Sequence, residues 1–184
     1  QKISDTQTPQ GILCVLKRPV YTWEDITSAQ AGKKPLLVVL EELQDPGNLG
    51  TILRAGEGAG VSGILLSTDC VDLYNPKTIR STMGSIYRVP HLYVEDMPSA
   101  IRKLGKQDIH TYAAHLEGKN YYNAFDFTKG TAFLIGNEGK GLKKETADLA
   151  QSYVKIPMEG HVESLNAAIA SSLLMYEAHR QRFQ

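Results

Sequence analysis

The chain has 184 residues, 42% of them hydrophobic and 22% charged, and its 20 basic and 20 acidic side chains leave no net charge. Those proportions exclude disorder, collagen and coiled coil as global descriptions, and the length suffices for one domain with its own core. Cys14 and Cys70 form neither a metal-binding spacing nor a disulfide framework. No aliphatic run approaches a bilayer span, no secretory-type leader is recognisable, and a reducing, cytoplasmic setting is expected. Zero net charge also means that any grip on a phosphate backbone must come from a local patch.

In chain order, residues 1–10 are polar, contain Pro9 and read as a linker. Gly11–Lys17 predicts a strand and Trp23–Gln30 a short helix. Leu36–Glu41 is a buried-strand run, followed by the turn-forming Asp45-Pro46-Gly47. A helix is expected over Asn48–Ala59, a strand over Gly63–Ser67, a helix over Pro76–Ser85 and a strand over Val89–Val94. Next come a helix over Pro98–Leu104, ended by Gly105, and a strand over Ile109–Ala114. Residues Glu117–Lys129, rich in Tyr, Asn and Phe, read as an irregular surface loop. Thr131–Ile135 is a strand, Lys143–Leu149 a helix, Tyr153–Ile156 a strand and Leu165–Arg182 the last helix. Alternation of this kind predicts an α/β domain with six or seven mostly parallel strands and helices on both faces. The last helix is apolar or small on nearly every face, which fits either a core helix or a subunit interface.

In such a sheet, ligands bind at the carboxyl ends of the strands. Three loops there are loaded with Gly, Asn, Ser and charge. In the first, Gln44–Arg54, Asn48 is either a helix cap or a positioning group. Arg54 either pairs with Glu57 or holds a phosphate through its planar fork. The second, Gly136–Leu142, is glycine-rich but matches neither the Walker loop nor the dinucleotide fingerprint. Glu138 within it is either a solvated turn residue or a partner for the first loop. In the third, Pro157–Asn166, Ser164 is the expected helix cap and His161 an ordinary loop histidine. No nucleophile–base set, metal cluster or paired carboxylates can be recognised, so residue chemistry alone reaches a crevice of backbone amides with one Arg and one Glu.

Together the loops are more specific. Asn48-Leu49-Gly50-Thr51-Ile52-Leu53-Arg54 resembles the first motif of the SpoU/TrmH class of SPOUT methyltransferases. Phe133 to Leu142 resembles the second. Ile156-Pro157-Met158 with Ser164-Leu165-Asn166-Ala167-Ala168 resembles the third, in the family's order and spacing. The resemblance covers roughly residues 35–182. It implies an S-adenosylmethionine-dependent RNA ribose 2′-O-methyltransferase that releases S-adenosylhomocysteine, needs no metal and works as a homodimer through its C-terminal helix. It also implies a deep trefoil knot in the C-terminal half, a topology that general rules of connectivity exclude. Carried over by motif, Arg54, Asn48, Glu138, Ser164 and Asn166 form the catalytic and positioning set. Gly136, Ile156 and Leu165 contact the cofactor largely through backbone, with Gly139, Met158 and Asn166 close by and Leu116 at the adenosine wall. Asn137 receives little weight.

For mechanism, the resemblance suggests Arg54 as base. A guanidinium gives up its proton too reluctantly for that to be the simpler role, so Arg54 is read as a phosphate clamp oriented by Glu138. The start Gln7–Ile12 resembles the junction after an N-terminal RNA-binding domain of the ribosomal RNA members. This favours 23S ribosomal RNA as substrate, with a SpoU-type catalytic domain over residues 11–184 and the upstream domain missing. Transfer RNA, or a non-catalytic RNA-binding protein that keeps the fold, are the alternatives.

Overall fold

The computed structural model describes residues 11–12, 14–28 and 32–183. The linker over 1–10 lies outside them. Seven strands form one sheet: β1 Leu36–Leu40, β2 Gly63–Ser67, β3 His91–Val94, β4 His110–Ala114, β5 Asn120–Tyr121, β6 Thr131–Ile135 and β7 Ser152–Lys155. Their order is β3-β2-β1-β6-β4-β7-β5, and every neighbouring pair is parallel. This is the predicted α/β class with a parallel sheet. All carboxyl ends therefore lie along one edge, where the three loops collect.

The helices are α1 Trp23–Thr27, α2 Pro46–Ala59, α3 Pro76–Thr82, α4 Met97–Lys106, α5 Lys144–Ala147 and α6 Ala167–Arg182. Successive residues of β1 point to opposite faces. Leu36, Val38 and Leu40 join a core with Ile52 and Leu53 of α2 and Leu174 and Met175 of α6. Leu37 and Val39 join a second core with Ile26 of α1, Ile101 and Leu104 of α4 and Ala147 of α5. A strand buried on both faces reads as an unbroken aliphatic run, which is why β1, β2 and β6 were legible. The far end of α6 is held by Arg182. Its guanidinium donates to the carbonyls of Phe127 (2.7 Å), Lys34 (2.8 Å), Pro35 (3.1 Å) and Lys129 (2.5 Å).

Several expectations change. Gly11–Lys17 is not a strand: its described residues pair with no strand, and Ile12 and Val15 are 84% and 92% exposed. Apolar content made it look like one, but a strand needs a neighbour to take its hydrogen bonds. Helix α1 ends at Thr27, with Ser28 as its cap; residues 29–30 of the expected helix lie outside the described ones. Residues 117–129 are not simply irregular. Asn120–Tyr121 pair with β7, and Phe127 is fully buried against Tyr112 and Phe133. The last helix begins at Ala167, two residues later than expected.

Candidate active site

The site grows from the end of β1. Glu41, the next residue, is 3% exposed. Its carboxylate accepts the Lys143 backbone N–H (2.8 Å) and the Thr146 hydroxyl (2.5 Å). Those bonds satisfy a buried charge that would otherwise be costly. Glu42 then turns the chain in the left-handed region (φ 52°) and pairs through its carboxylate with Lys143 Nζ at 2.6 Å.

Helix α2 starts on Asp45, whose carboxylate accepts the Asn48 N–H (2.7 Å), with Pro46 at the first helical position. Asp45, not Asn48, is therefore the cap, and the Asn48 side chain is released for other work. Its Nδ2 donates to Glu138 Oε1 (3.0 Å), and its Oδ1 accepts Asn166 Nδ2 (2.8 Å). One asparagine thus joins the first, second and third loops. Glu138 also accepts the N–H groups of Gln44 (3.1 Å) and Asp45 (2.9 Å). Partial burial alone would raise the Glu138 carboxyl pKa. The hydrogen bonds from Asn48, Asp45 and Gln44 outweigh it and hold the group below the usual carboxylate range.

Asn166, not Ser164, caps α6, accepting the N–H groups of Ala168 (2.9 Å) and Ile169 (3.3 Å) on Oδ1. Composition could not separate two good capping residues two positions apart. The same amide therefore starts the helix through its oxygen and reaches Asn48 through its nitrogen. Ser164 is exposed.

Arg54 is exposed, and among the described residues it has neither an ion pair nor a hydrogen bond. Two expectations change here. Glu57 pairs with Arg88 and accepts the Ser85 hydroxyl, so it does not hold Arg54. Glu138 does not hold it either. Arg54 lies six residues past Asn48, about 9 Å along the axis and on another face of α2. Arg54 is left free to meet a group from outside the chain.

Asn137 is the residue that sequence reasoning undervalued. Its Nδ2 donates to the Glu42 carbonyl (2.9 Å), while its Oδ1 accepts the N–H groups of Gly139 and Lys140, both at 3.0 Å. Its backbone exchanges two hydrogen bonds with Gly141, at 3.0 and 2.9 Å. Asn137 thus folds the glycine loop and ties it to the first one. Asn is one of the residue types whose side chain folds its own turn, which was the available signal.

Gly136 sits beneath that loop. A Cβ there would lie 2.1 Å from the Gly141 carbonyl carbon and from the Leu142 nitrogen, so only glycine fits. This close approach brings backbone to the mouth of the crevice, the arrangement a bound nucleoside needs. Residues 157–165 are exposed or half-buried. Among the described residues, none of the hydrogen bonds outside helices and strands uses the backbone of 156–165. Ile156 follows β7, Met158 and Leu165 are half-buried, and Leu116 just past β4 is 56% exposed. Open peptide groups with apolar side chains suit a flat, polar-edged base such as adenine. The residues present therefore fit an adenosyl cofactor. Among the described residues, no three His, Cys, Asp or Glu side chains group to hold a metal.

Comparison with known proteins bears on this arrangement. Residues 35–176 match the SpoU rRNA Methylase family. An uncharacterised tRNA/rRNA methyltransferase of Synechocystis is 37% identical over 99% of this chain. The 23S rRNA (guanosine(2553)-2′-O)-methyltransferase RlmP of Bacillus subtilis is 32% identical over 95% of it. Among solved structures, the SpoU methyltransferase AviRb of Streptomyces viridochromogenes, in complex with the cofactor AdoMet, has a TM-score of 0.82 at 32% identity. That match covers 90% of this chain and 66% of AviRb. An AdoMet-bound rRNA methyltransferase of Sinorhizobium meliloti has a TM-score of 0.76 at 38% identity, over 82% of this chain and 57% of that one. The chain spans 65% of the length of the Synechocystis relative and 66% of the Bacillus one. By the family match and these relatives, the chain belongs to the SpoU rRNA methylase family.

Proposed function

We propose that this chain is the catalytic domain, over residues 11–184, of an S-adenosylmethionine-dependent RNA ribose 2′-O-methyltransferase. The observation that carries the reading is the Asn48–Glu138–Asn166 network, which joins the three motif loops where the parallel strands end. Ribosomal RNA, 23S in particular, is the favoured substrate. The Bacillus relative carries that activity in its name, and so does the 23S rRNA (guanosine-2′-O-)-methyltransferase RlmB of Xylella fastidiosa, 34% identical over 89% of this chain.

S-adenosylmethionine, when bound, supplies a methyl group on a sulfonium. Gly136, Ile156 and Leu165 hold it largely through backbone, with Gly139, Met158 and Leu116 around it. Arg54 clamps a phosphate of the RNA and stabilises the negative charge that develops on the ribose 2′-oxygen as its proton passes to solvent water. Asn48, Glu138 and Asn166 fix the loops that would hold cofactor and ribose, a positioning effect on the order of several kcal/mol. Ser164 completes the polar wall.

Dimerisation through α6 belongs to the same reading. Ile169, Leu173 and Tyr176 are 53%, 38% and 48% exposed on that helix. They line a groove of about 470 Å³ with Thr51 of α2 and Tyr122. The trefoil threading and a cytoplasmic setting complete the proposal. Among the described residues no helix is long and apolar enough to cross a membrane.

Arg54→Ala should abolish methyl transfer to 23S ribosomal RNA while leaving S-adenosylhomocysteine affinity nearly intact. Near-normal turnover by that variant would overturn the assignment. Calorimetric titration with S-adenosylhomocysteine, beside a light-scattering mass, should give micromolar binding by a dimer.

A further inference from the structure

One region of the neutral chain is not neutral. Between Asp72 and Glu95 there is no acidic residue, while Lys77, Arg80 and Arg88 all fall there. Arg88 is neutralised by Glu57. Lys77 and Arg80 are exposed, and among the described residues neither has an ion-pair partner.

The fold sets these two cations on the helix that packs against the one carrying Arg54. Helices α2 and α3 meet at Gly50, where a Cβ would fall 1.8 Å from Ser81 Oγ. Ser81 donates to the Pro46 carbonyl (3.2 Å), which fixes α3 against the first turn of α2. Arg54 lies one turn past Gly50 on the same stripe of α2. Lys77 lies one turn before Ser81 on α3, and Arg80 shares a face with Lys77. All three are thus within about two helical turns, roughly 10 Å, of the Gly50 contact. Two further groups extend the surface. The Arg18 guanidinium lies 4.2 Å from the centre of the Tyr74 ring, just ahead of α3, and Tyr87 beyond α3 is 47% exposed.

We propose that the outer face of α2 and α3, carrying Arg54, Lys77, Arg80 and Arg18, is a docking track for phosphates of the RNA strand flanking the target nucleotide. Tyr87 offers a ring on which a base stacks. The proposal rests on the reading of the chain as an RNA methyltransferase and extends it from the reacting ribose to the strand around it. The exposed, unpaired cations Arg54, Lys77 and Arg80 outnumber the one acidic neighbour, Asp72 at the head of α3, and suit backbone phosphate without a base code, so the track sets register and affinity but not sequence. Arg18, already spread over an aromatic ring, loses little freedom on binding.

The test measures the salt dependence of binding of the full chain to an unmodified 23S ribosomal RNA transcript. Each phosphate contact on a single strand contributes about −0.7 to the slope of log K against log salt concentration. Lys77→Ala/Arg80→Ala should make the slope shallower by about 1.4 and weaken binding by roughly tenfold or more at low salt. Its melting temperature and S-adenosylhomocysteine affinity should match the parent. The control is Arg102→Ala/Lys106→Ala on α4, which packs on the opposite face of the sheet. An unchanged slope in the first variant, or an equal loss in the control, would overturn the track. So would a parent chain that binds no RNA. A parent that binds RNA yet transfers no methyl group in the companion assay overturns the enzymatic reading instead, and the slopes still decide the track.

Discussion

The first two motif loops and the third solve opposite problems. Between residues 41 and 146 the first pair is stitched shut by Glu41, Glu42, Asn48, Asn137 and Glu138, each bonded across the gap. Among the described residues, 157–165 make no such bonds. The difference separates a prebuilt scaffold from a surface whose peptide groups remain open to a ligand. In the proposed reading, rigid positioning is supplied by the former, and recognition of a flat base by the latter. Substitutions should therefore cost stability or positioning in the first region and binding in the second.

The largest effect is expected at Gly136. Gly136→Ala forces a methyl into the backbone of Gly141 and Leu142. It should cost about 3 kcal/mol, lowering the melting temperature by about 6–12 °C for a chain of this size. Asn137→Ala comes next, because it removes three side-chain hydrogen bonds at once. Methyl transfer should fall about tenfold, equivalent to about 1.4 kcal/mol of lost positioning. Asn137→Asp keeps the acceptor for Gly139 and Lys140 but sets a carboxylate oxygen against the Glu42 carbonyl, so its rate should fall at least as far.

Asn166→Ala and Ser164→Ala sharpen the border between the regions. The first removes the cap of α6 and should cost about 1 kcal/mol, or about 2–4 °C. The second should stay within about 0.5 kcal/mol of the parent in thermal melting. Equal effects would mean that Ser164 shares the capping. The smallest effect concerns acid. The Glu138 carboxyl is held below its usual range in the folded chain. Its contribution is therefore complete above the unfolded value of about 4.3 and fades as pH falls through the lower folded value. The stability gap between the parent and Glu138→Gln should be constant near neutrality and close in acid below about pH 4.

The same contrast explains what could be read without coordinates. Strands such as Leu36–Leu40 and Thr131–Ile135 are continuous apolar runs, and their burial on both faces is a local property of sequence. The two-residue β5 has no such signature; it exists because β7 offers it an edge. Gly11–Lys17 had the signature and lacks the partner. At the site, the motif loops stood out by composition, but their wiring did not. Glu138 meets backbone N–H groups 93 and 94 residues away, which no local pattern encodes. The expected Glu138–Arg54 contact failed for the same reason: Asp45 and Gln44 came first.

That wiring has a consequence for how the molecule is made. Glu41 finds its two partners 102 and 105 residues downstream, and Asn48 finds Asn166 after 118. At synthesis speeds of about 5–20 residues per second, the first half of the crevice waits roughly 5–25 s for the second to leave the ribosome. An interrupted chain ending between Lys155 and Asn166 carries all seven strands and an unfinished crevice. Activity should therefore arrive only once Asn166 and α6 have been made, and chains released before that point should be inert.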